Sequence, residues 1–539
     1  MTDSTAPRPP AAGSAAATSP TDLEREIALA KSGGMGLGDL LERAEQLNRR
    51  GLVEGSAQLY AHCIASTITP PRPIACYNWG TVPGALRRPL EAEAAYRQAL
   101  DFKPEFLQAR VNLGHQLEQQ GRAEEALAEW RKAIDETRET LPGAFELRLH
   151  AINNSARLLE TQRRYDEAEA FLVRSLRLKP NQSDVIQHYV HLRQKQCKWP
   201  QYEAVGEVTI NQLVVGTSPL AMLSATDDPA LQLMAAQRFV HERVPKPPET
   251  PYHVGKPART GRIRIGYLSG DLCMHAVGLL TAELFELHDR SRFEVFAFCW
   301  SREDGTPLRA RLRAAMDHHV PLAGLDDDAA ARRIADCGID ILIDLQGLTN
   351  GARPAILGKR PAPVQASYLG FPGTTGLPGV DWIIADPFVM PPELLPYCTE
   401  KPLYVPHCYQ VSDRKREIGP TPTRADYGLP EDKFVFCSFN NNFKFTDTLF
   451  RTWMRVLAQV DDSVLWLLAD NEWCRENLLA EADAHGVARD RLIFAPRVAP
   501  PEYLARFQLA DLFLDTFPYN GGTTASDALW MGLPILTLS

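Results

Sequence analysis

Cysteine, long apolar runs and excess positive charge are scarce or scattered in this chain, and each shortage excludes a class of protein. Ten cysteines among 539 residues include no C-x-x-C pair and no zinc-ligand spacing, so reduced, mostly buried thiols are expected rather than a metal site or a disulfide framework. No uninterrupted apolar stretch approaches the roughly 18 to 20 residues of a membrane span. The opening MTDSTAPRPPAAGSAAATSP lacks the apolar centre of a signal peptide, which points to a cytoplasmic protein with no membrane partner. Lys plus Arg number 58 against 67 Asp plus Glu, a net charge of −9, so the basic field that recruits nucleic acid is missing. Neither G-x-G-x-x-G nor G-x-x-x-x-G-K-[ST] occurs, which argues against a dehydrogenase or a P-loop ATPase.

What remains is an ordinary globular composition, 45% hydrophobic and 23% charged, long enough for about three or four domains. The first half repeats. Gly80, Ala92, Tyr96 and Ala99 recur 34 residues later as Gly114, Ala126, Trp130 and Ala133, and Pro104 closes the first copy. This is the period of a tetratricopeptide helix pair, with small residues where helices cross and an aromatic filling the groove. A third copy holds Ala156, Ala168, Ser175 and Pro180 after about eight extra residues near Glu136 to Phe145. A weaker copy with Ser56, Tyr60 and Cys63 precedes these, and Val190 to Tyr202 reads as a degenerate closing repeat. Stacked repeats form a solenoid with a concave face suited to an extended polypeptide. Asn78, Asn112 and Asn154 hold equivalent places in successive repeats. Such a row can bind a peptide backbone without reading its side chains, or can simply bond neighbouring backbone.

After the proline-rich stretch from Val244 to Gly261 the periodicity changes. β-rich runs at Arg262 to Ser269, Phe293 to Trp300, Asp340 to Leu345, Gln365 to Leu369 and Trp382 to Ala385 alternate with helical stretches. A second set lies at Phe434 to Phe439, Ser463 to Ala469, Arg491 to Ala495, Ala510 to Asp515 and Pro534 to Leu538. The pattern predicts two doubly wound α/β lobes with ligands at the carboxyl ends of their strands. Between the last strands, Leu514-Asp515-Thr516-Phe517-Pro518-Tyr519-Asn520-Gly521-Gly522-Thr523-Thr524-Ala525-Ser526-Asp527 joins a strand to a helix. Its glycines admit close backbone approach. Thr523 and Thr524 fall where a helix start can hold pyrophosphate, with Asp527 placed to accept from ribose hydroxyls, or the segment is an ordinary capped helix after a glycine turn. Lys444 lies just past an earlier strand, where an ammonium can neutralise a leaving phosphate or simply stand solvated at the surface. Gly270 to His275 and Gly370 to Gly376 follow strands of the first lobe. The acidic run Asp326 to Asp328 reads as a solvated helix start or loop.

Repeats joined to segments such as LDTFPYNGGTTASDALWMGLP, FCSFNNNFKFT, RPAPVQASYLGFPGTTG and QLADLFLDT resemble the O-GlcNAc transferase and SPINDLY-like glycosyltransferases in a bacterial version. The resemblance implies a tetratricopeptide α-solenoid followed by a GT-B-type pair of Rossmann-like lobes. The implied divisions are a disordered leader (1–22), repeats (38–215), a helical connection and linker (216–261), a first lobe (262–405), an interlobe connection (406–433) and a nucleotide-sugar lobe (434–539). It implies that Lys444 contacts the departing diphosphate and that His275 lines the sugar site, with its proton role open. Thr349 and Gly370 correspond to sugar contacts, and Asn441 stands where the family has a glutamine near the phosphates. Val498 lies near the base, Arg506 in the nucleotide region, and Gly522, Thr523, Thr524 and Asp527 at the pyrophosphate and ribose. Departures from the family pattern are Pro500 or Pro501 for a basic residue, Tyr503 and Gly522 for histidines, and Tyr519 for a cysteine.

The expected activity is inverting transfer of N-acetylglucosamine from UDP-GlcNAc to Ser or Thr of polypeptides bound by the repeats, with neither cofactor nor metal. GDP-fucose as donor and a non-catalytic scaffold are the alternatives. Self-association through the repeats is a further expectation. The sequence ends on an apparent strand at Pro534 to Ser539, so the second lobe reads as truncated, with an exposed sheet or groove at its end.

Overall fold

Two glycines explain how the helices of the first half come together. In the computed structural model, which describes residues 24–25, 27–29, 35–66, 72–85, 88–135, 143–255 and 261–538, four helix pairs follow one another. They are Leu37–Arg49 with Val53–Ser66, Arg72–Ala85 with Pro89–Phe102, Leu107–Gln119 with Ala123–Asp135, and Ala144–Thr161 with Tyr165–Leu178. A Cβ on Gly80 would stand 2.7 Å from the Tyr96 ring, and one on Gly114 2.2 Å from Trp130 Nε1. Both rings are buried, and Trp130 Nε1 donates to Val111 O at 3.0 Å. The small residue, the aromatic and the 34-residue spacing are thus one packing device. Gly114→Ala is expected to lower stability by about 1 to 3 kcal/mol through overpacking, read as a lower first melting transition of the full chain. An unchanged transition would contradict this packing account.

The expected leader lies outside the described residues, as does most of the insertion near Glu136. The rest of the insertion lengthens a helix, since Ala144–Thr161 has 18 residues against 13 in Leu107–Gln119. The chain divides at residue 180 into two compact units. The helices after that point belong to the second unit, although the sequence reading extends the repeats to 215. Ser183–Lys195 leads to Cys197, which is buried in a cluster with Phe445, Phe450 and Trp453 of the last lobe. Three short helices follow, each with its own start signal. Thr209 forms a capping box with Gln212 before Ile210–Gly216, while Ser218 and Asp228 cap Pro219–Ala225 and Pro229–Arg243. The proline-rich stretch is a packed connection over its described part. The Tyr252 and His253 amides donate to Lys359 O and Arg360 O at 3.1 and 3.2 Å.

The second unit holds two all-parallel sheets. The first is built from β1 (Ile263–Ser269), β2 (Phe293–Cys299), β3 (His318–Pro321), β4 (Ile341–Asp344), β5 (Val364–Ser367), β6 (Trp382–Ala385) and β7 (Lys401–Tyr404). Its order is β3-β2-β1-β4-β5-β6-β7. The second, from β8 (Phe434–Ser438), β9 (Ser463–Leu468), β10 (Leu492–Ala495), β11 (Leu512–Leu514) and β12 (Ile535–Leu536), runs β10-β9-β8-β11-β12. Every residue of β9 is buried, as a strand covered on both faces requires. The two strands that the sequence does not announce, β3 and β7, are the edges of the first sheet. Each has four residues including a proline, the composition that blunts an edge. Asp326 caps the helix Asp327–Asp336 through the Ala329 amide, so the acidic run is a helix start. Among the described residues no helix is long and apolar enough to cross a membrane.

Candidate active site at the two strand-order reversals

Strand order reverses between β1 and β4 in the first sheet and between β8 and β11 in the second. In open parallel sheets this is where loops part and a ligand can enter at the carboxyl ends. His275 follows β1, Thr349 follows β4 and Gly370 follows β5. Lys444 follows β8, and the glycine-threonine loop follows β11.

His275 is the N-cap of the helix Ala276–Glu286, with Nδ1 accepting from the Val277 amide at 3.3 Å. Nε2 is then the ring nitrogen left to meet a ligand oxygen. Asp271 Oδ2 lies 3.8 Å from Nδ1, and burial pushes its carboxyl above the ordinary range. At the end of β4, Asp344 accepts from the Gly347 and Gln346 amides at 2.8 and 3.2 Å. Burial raises its pKa to about 6. Thr349 Oγ1 donates to Gln346 O at 3.0 Å, and Gln346 accepts from the Gly270 amide at 2.8 Å, which ties the β1 and β4 loops together. Gly370 is required by close approach, since a Cβ there would be 1.9 Å from Leu345 O.

The second lobe supplies the charge. Lys444 ends a 3-10 turn capped by Asn441, whose side chain accepts from the Phe443 amide at 3.5 Å. The ammonium is buried, donates to Asn520 O at 2.9 Å and sits 3.6 Å from the centre of the Tyr519 ring. It has no ion-pair partner among the described residues. Desolvation lowers its pKa to about 8, with Asp515 opposing. Asp515 is the hub of the adjoining loop. Its carboxylate accepts from the Thr516 and Gly521 amides at 2.8 and 2.7 Å, from Asn440 and Asn520 Nδ2 at 3.0 and 3.3 Å, and from Thr537 Oγ1 at 2.8 Å.

The helix Thr523–Trp530 begins beyond Gly522, and its first amides have no acceptor within the helix. The two threonines differ. Thr524 Oγ1 donates its single proton to Asn440 Oδ1, whereas the Thr523 hydroxyl has no hydrogen-bond partner among the described residues. Thr523→Val is therefore expected to weaken binding of a nucleoside diphosphate by about tenfold, one charge-assisted hydrogen bond, without loss of stability. Thr524→Val is expected to reduce stability first. Calorimetric titration and urea unfolding of both variants check this, and the opposite ranking would contradict it.

Asp527 is buried and accepts from Arg416 Nη1. Arg506, expected in the nucleotide region, is buried in an aromatic box, with its guanidinium 4.0 Å from the Phe439 ring centre and 4.8 Å from that of Tyr503. Its Nη1 donates to Pro496 O at 2.8 Å, so it supports the loop that carries Val498 from beneath. Val498 is half-buried in that loop after β10, and Gly522 lies against Gln410, whose Oε1 would be 3.3 Å from an added Cβ.

In the repeat unit each asparagine of the row has a local partner. Asn78 bonds Tyr60, Asn112 Nδ2 donates to the Tyr77 and Tyr96 hydroxyls at 3.3 and 3.4 Å, and Asn154 Nδ2 donates to His150 O at 2.8 Å. Asp515, Asn440, Asp344 and Arg416 are the site residues that sequence reasoning passes over. The signal for the first was present, an acid closing a strand directly before a glycine loop.

A search of protein families matches the description glycosyl transferase family 41 over residues 237–421 and 416–539, and tetratricopeptide repeat over 149–182. The probable UDP-N-acetylglucosamine–peptide N-acetylglucosaminyltransferase SEC of Arabidopsis thaliana is 36% identical over 373 residues, covering 65% of this chain and 38% of the relative. The Arabidopsis thaliana protein named for the same activity as SPINDLY is 31% identical over 285 residues, 51% of this chain and 31% of the relative. The chain thus spans about a third of the length of the curated relatives it matches. A solved Thermobaculum terrenum O-GlcNAc transferase mutant superposes with a TM-score of 0.53 at 24% identity, over 95% of this chain and 83% of that one, a likeness of fold.

Proposed function

Because the chain belongs to glycosyl transferase family 41, we propose that it transfers a sugar from a nucleoside diphosphate, with UDP-GlcNAc as the favoured donor, to Ser or Thr hydroxyls of polypeptides presented by the repeats. The observation that carries this reading is Lys444, a buried ammonium with no ion-pair partner among the described residues, set beside the start of the helix Thr523–Trp530. A buried cation left unpaired is costly, and a diphosphate is the partner whose charge and size suit that place.

In the proposed reaction the acceptor oxygen attacks the anomeric carbon while the bond from that carbon to the β-phosphate oxygen breaks. The electron pair leaves with the diphosphate, and the hydroxyl proton passes to solvent or a nearby base. Lys444 and the helix-start amides stabilise the charge that develops on the leaving group. His275 donates through Nε2 to a ligand oxygen, consistent with its capping bond. This scheme needs no metal ion, because the leaving charge is met by the ammonium and the helix dipole. The relatives named for N-acetylglucosaminyl transfer to peptides support donor and acceptor alike.

A donor panel tests the reading. UDP-GlcNAc, UDP-glucose, UDP-galactose and GDP-fucose are incubated with the purified chain and a polypeptide mixture, with and without a chelator. Release of UDP with modified Ser or Thr from UDP-GlcNAc, unchanged by the chelator, is the expected result. Turnover of GDP-fucose alone would move the assignment to fucosyl transfer, and no turnover of any donor would leave a binding scaffold.

A further inference from the structure

The segment between the two sheets fastens them by crossing from one to the other and back. Tyr409 is fixed to the first lobe, where its amide donates to Asp386 Oδ2 at 2.8 Å and its carbonyl accepts from the Tyr368 hydroxyl at 2.6 Å. The next residue reaches the second lobe, with Gln410 Nε2 donating to Ser526 Oγ at 2.6 Å. Asp413 and Arg414 return to the first lobe, paired with Arg311 at 2.6 Å and Glu283 at 2.7 Å. Arg416 crosses again to Asp527. Ser526 and Asp527 are neighbours in the first turns of the helix Thr523–Trp530. The strap therefore grips the helix whose start faces the proposed diphosphate.

The Arg416–Asp527 pair has a particular geometry. Both side chains are nearly buried, at 10% and 4% exposure. Only one of the five guanidinium N–H groups and only one carboxylate oxygen, Oδ1, are used in the contact. Asp527 Oδ2 and the other guanidinium donors have no partner among the described residues. Unused capacity on a buried acid and base, side by side at a helix start, fits a ligand that offers hydroxyls and an anion together.

We propose that Arg416 is a positioning residue of the nucleotide subsite, holding Asp527 Oδ2 as an acceptor for the vicinal hydroxyls of a nucleoside diphosphate. The inference rests on the reading of the site as one for a nucleoside diphosphate. Burial raises the Asp527 pKa, and the neighbouring guanidinium acts against that rise. Tyr503 and Arg506 also face this region, Tyr503 sensing Asp527, Arg506 and Arg416 together. Arg416 is the cation of that group bonded to the acid, whereas Arg506 is taken up by the aromatic box. Loss of the strap's guanidinium would leave Asp527 both protonated more readily and free to turn.

A double-mutant cycle read by calorimetric titration with UDP, and with GDP as a second probe, separates this role from simple packing. Arg416→Met is expected to bind UDP at least tenfold more weakly than the wild type, and Arg416→Lys to recover most of the loss. In an Asp527→Asn background the Arg416→Met change is expected to add less than twofold, because Arg416 acts through that carboxylate. Wild-type affinity in Arg416→Met, or a loss equally large in the Asp527→Asn background, would overturn the inference while leaving the nucleotide site standing. A wild type that binds neither UDP nor GDP would overturn both.

Discussion

Lys444→Met is expected to lower kcat/KM for sugar transfer by at least 100- to 1,000-fold while leaving the fold as stable as before or more so. In the proposed reaction the rate effect follows from removing the charge that meets the leaving group in a buried site, where one such donor supplies roughly 3 to 4 kcal/mol. The stability effect has the opposite sign because the lysine is held at a cost. Its folded pKa of about 8 is below the ordinary 10.5, so the native state binds the proton less tightly than the unfolded chain does. Below about pH 8 both states are charged and the cost is fully present. Between about 8 and 10.5 the native state has released a proton that the unfolded chain still holds, and stability rises with pH. At about 1.4 kcal/mol per tenfold change, the difference amounts to about 3 kcal/mol. Methionine fills similar volume without the charge, so unfolding in urea should lose this rise across pH 8 to 10.5 in the variant. A variant with near-wild-type turnover, or one that unfolds far more easily at pH 7, would contradict the role given to Lys444.

Asp515→Ala is expected to be the more damaging change to structure. Five donors converge on this carboxylate, two of them backbone amides of the loop between β11 and the helix Thr523–Trp530. Deleting the acceptor leaves several buried donors unsatisfied, at about 1 to 3 kcal/mol for each that finds no water. We expect a loss of about 4 kcal/mol in urea unfolding and the disappearance of measurable UDP binding. The binding loss follows because Asn440 links Asp515 to Thr524 while Asn520 O receives the Lys444 ammonium. Asp515→Asn keeps the shape but turns one oxygen into a donor facing other donors, and should fall between wild type and alanine. An alanine variant within about 1 kcal/mol of wild type that still bound UDP would remove the hub from the account.

The repeats and the two sheets could be read in the sequence because their signals are local and periodic. Gly80 and Tyr96 occur at a spacing that a helix crossing requires, and β-rich runs such as Phe434 to Phe439 and Ser463 to Ala469 announce strands. β3 and β7 escaped because an edge strand carries proline and polar residues, which read as loop. The sequence also gives no sign that the division between the two compact units falls at residue 180, inside the stretch read as repeats. Ser183–Lys195 is helical like its predecessors, and only its packing against the last lobe through Cys197 shows where it belongs.

Within the site, the glycine-threonine loop can be singled out from its own segment, whereas Lys444 stands out in sequence only by following a strand, its partner Asn520 lying 76 residues along the chain. Arg506 is placed in the nucleotide region by resemblance alone, and its aromatic box is not legible because it is assembled from Phe439, Trp466 and Tyr503 on three different elements. Arg416 lies in a charged stretch that resembles any solvated connection, and only the fold shows that it reaches Asp527 across 111 residues.

The most direct measurement is mass spectrometry of a polypeptide mixture after incubation of the purified chain with UDP-GlcNAc, run beside the Lys444→Met variant. The account predicts N-acetylhexosamine on Ser or Thr in the wild-type sample and its near absence with the variant. Equal modification by both proteins, or none by a wild type shown to be folded, would contradict it.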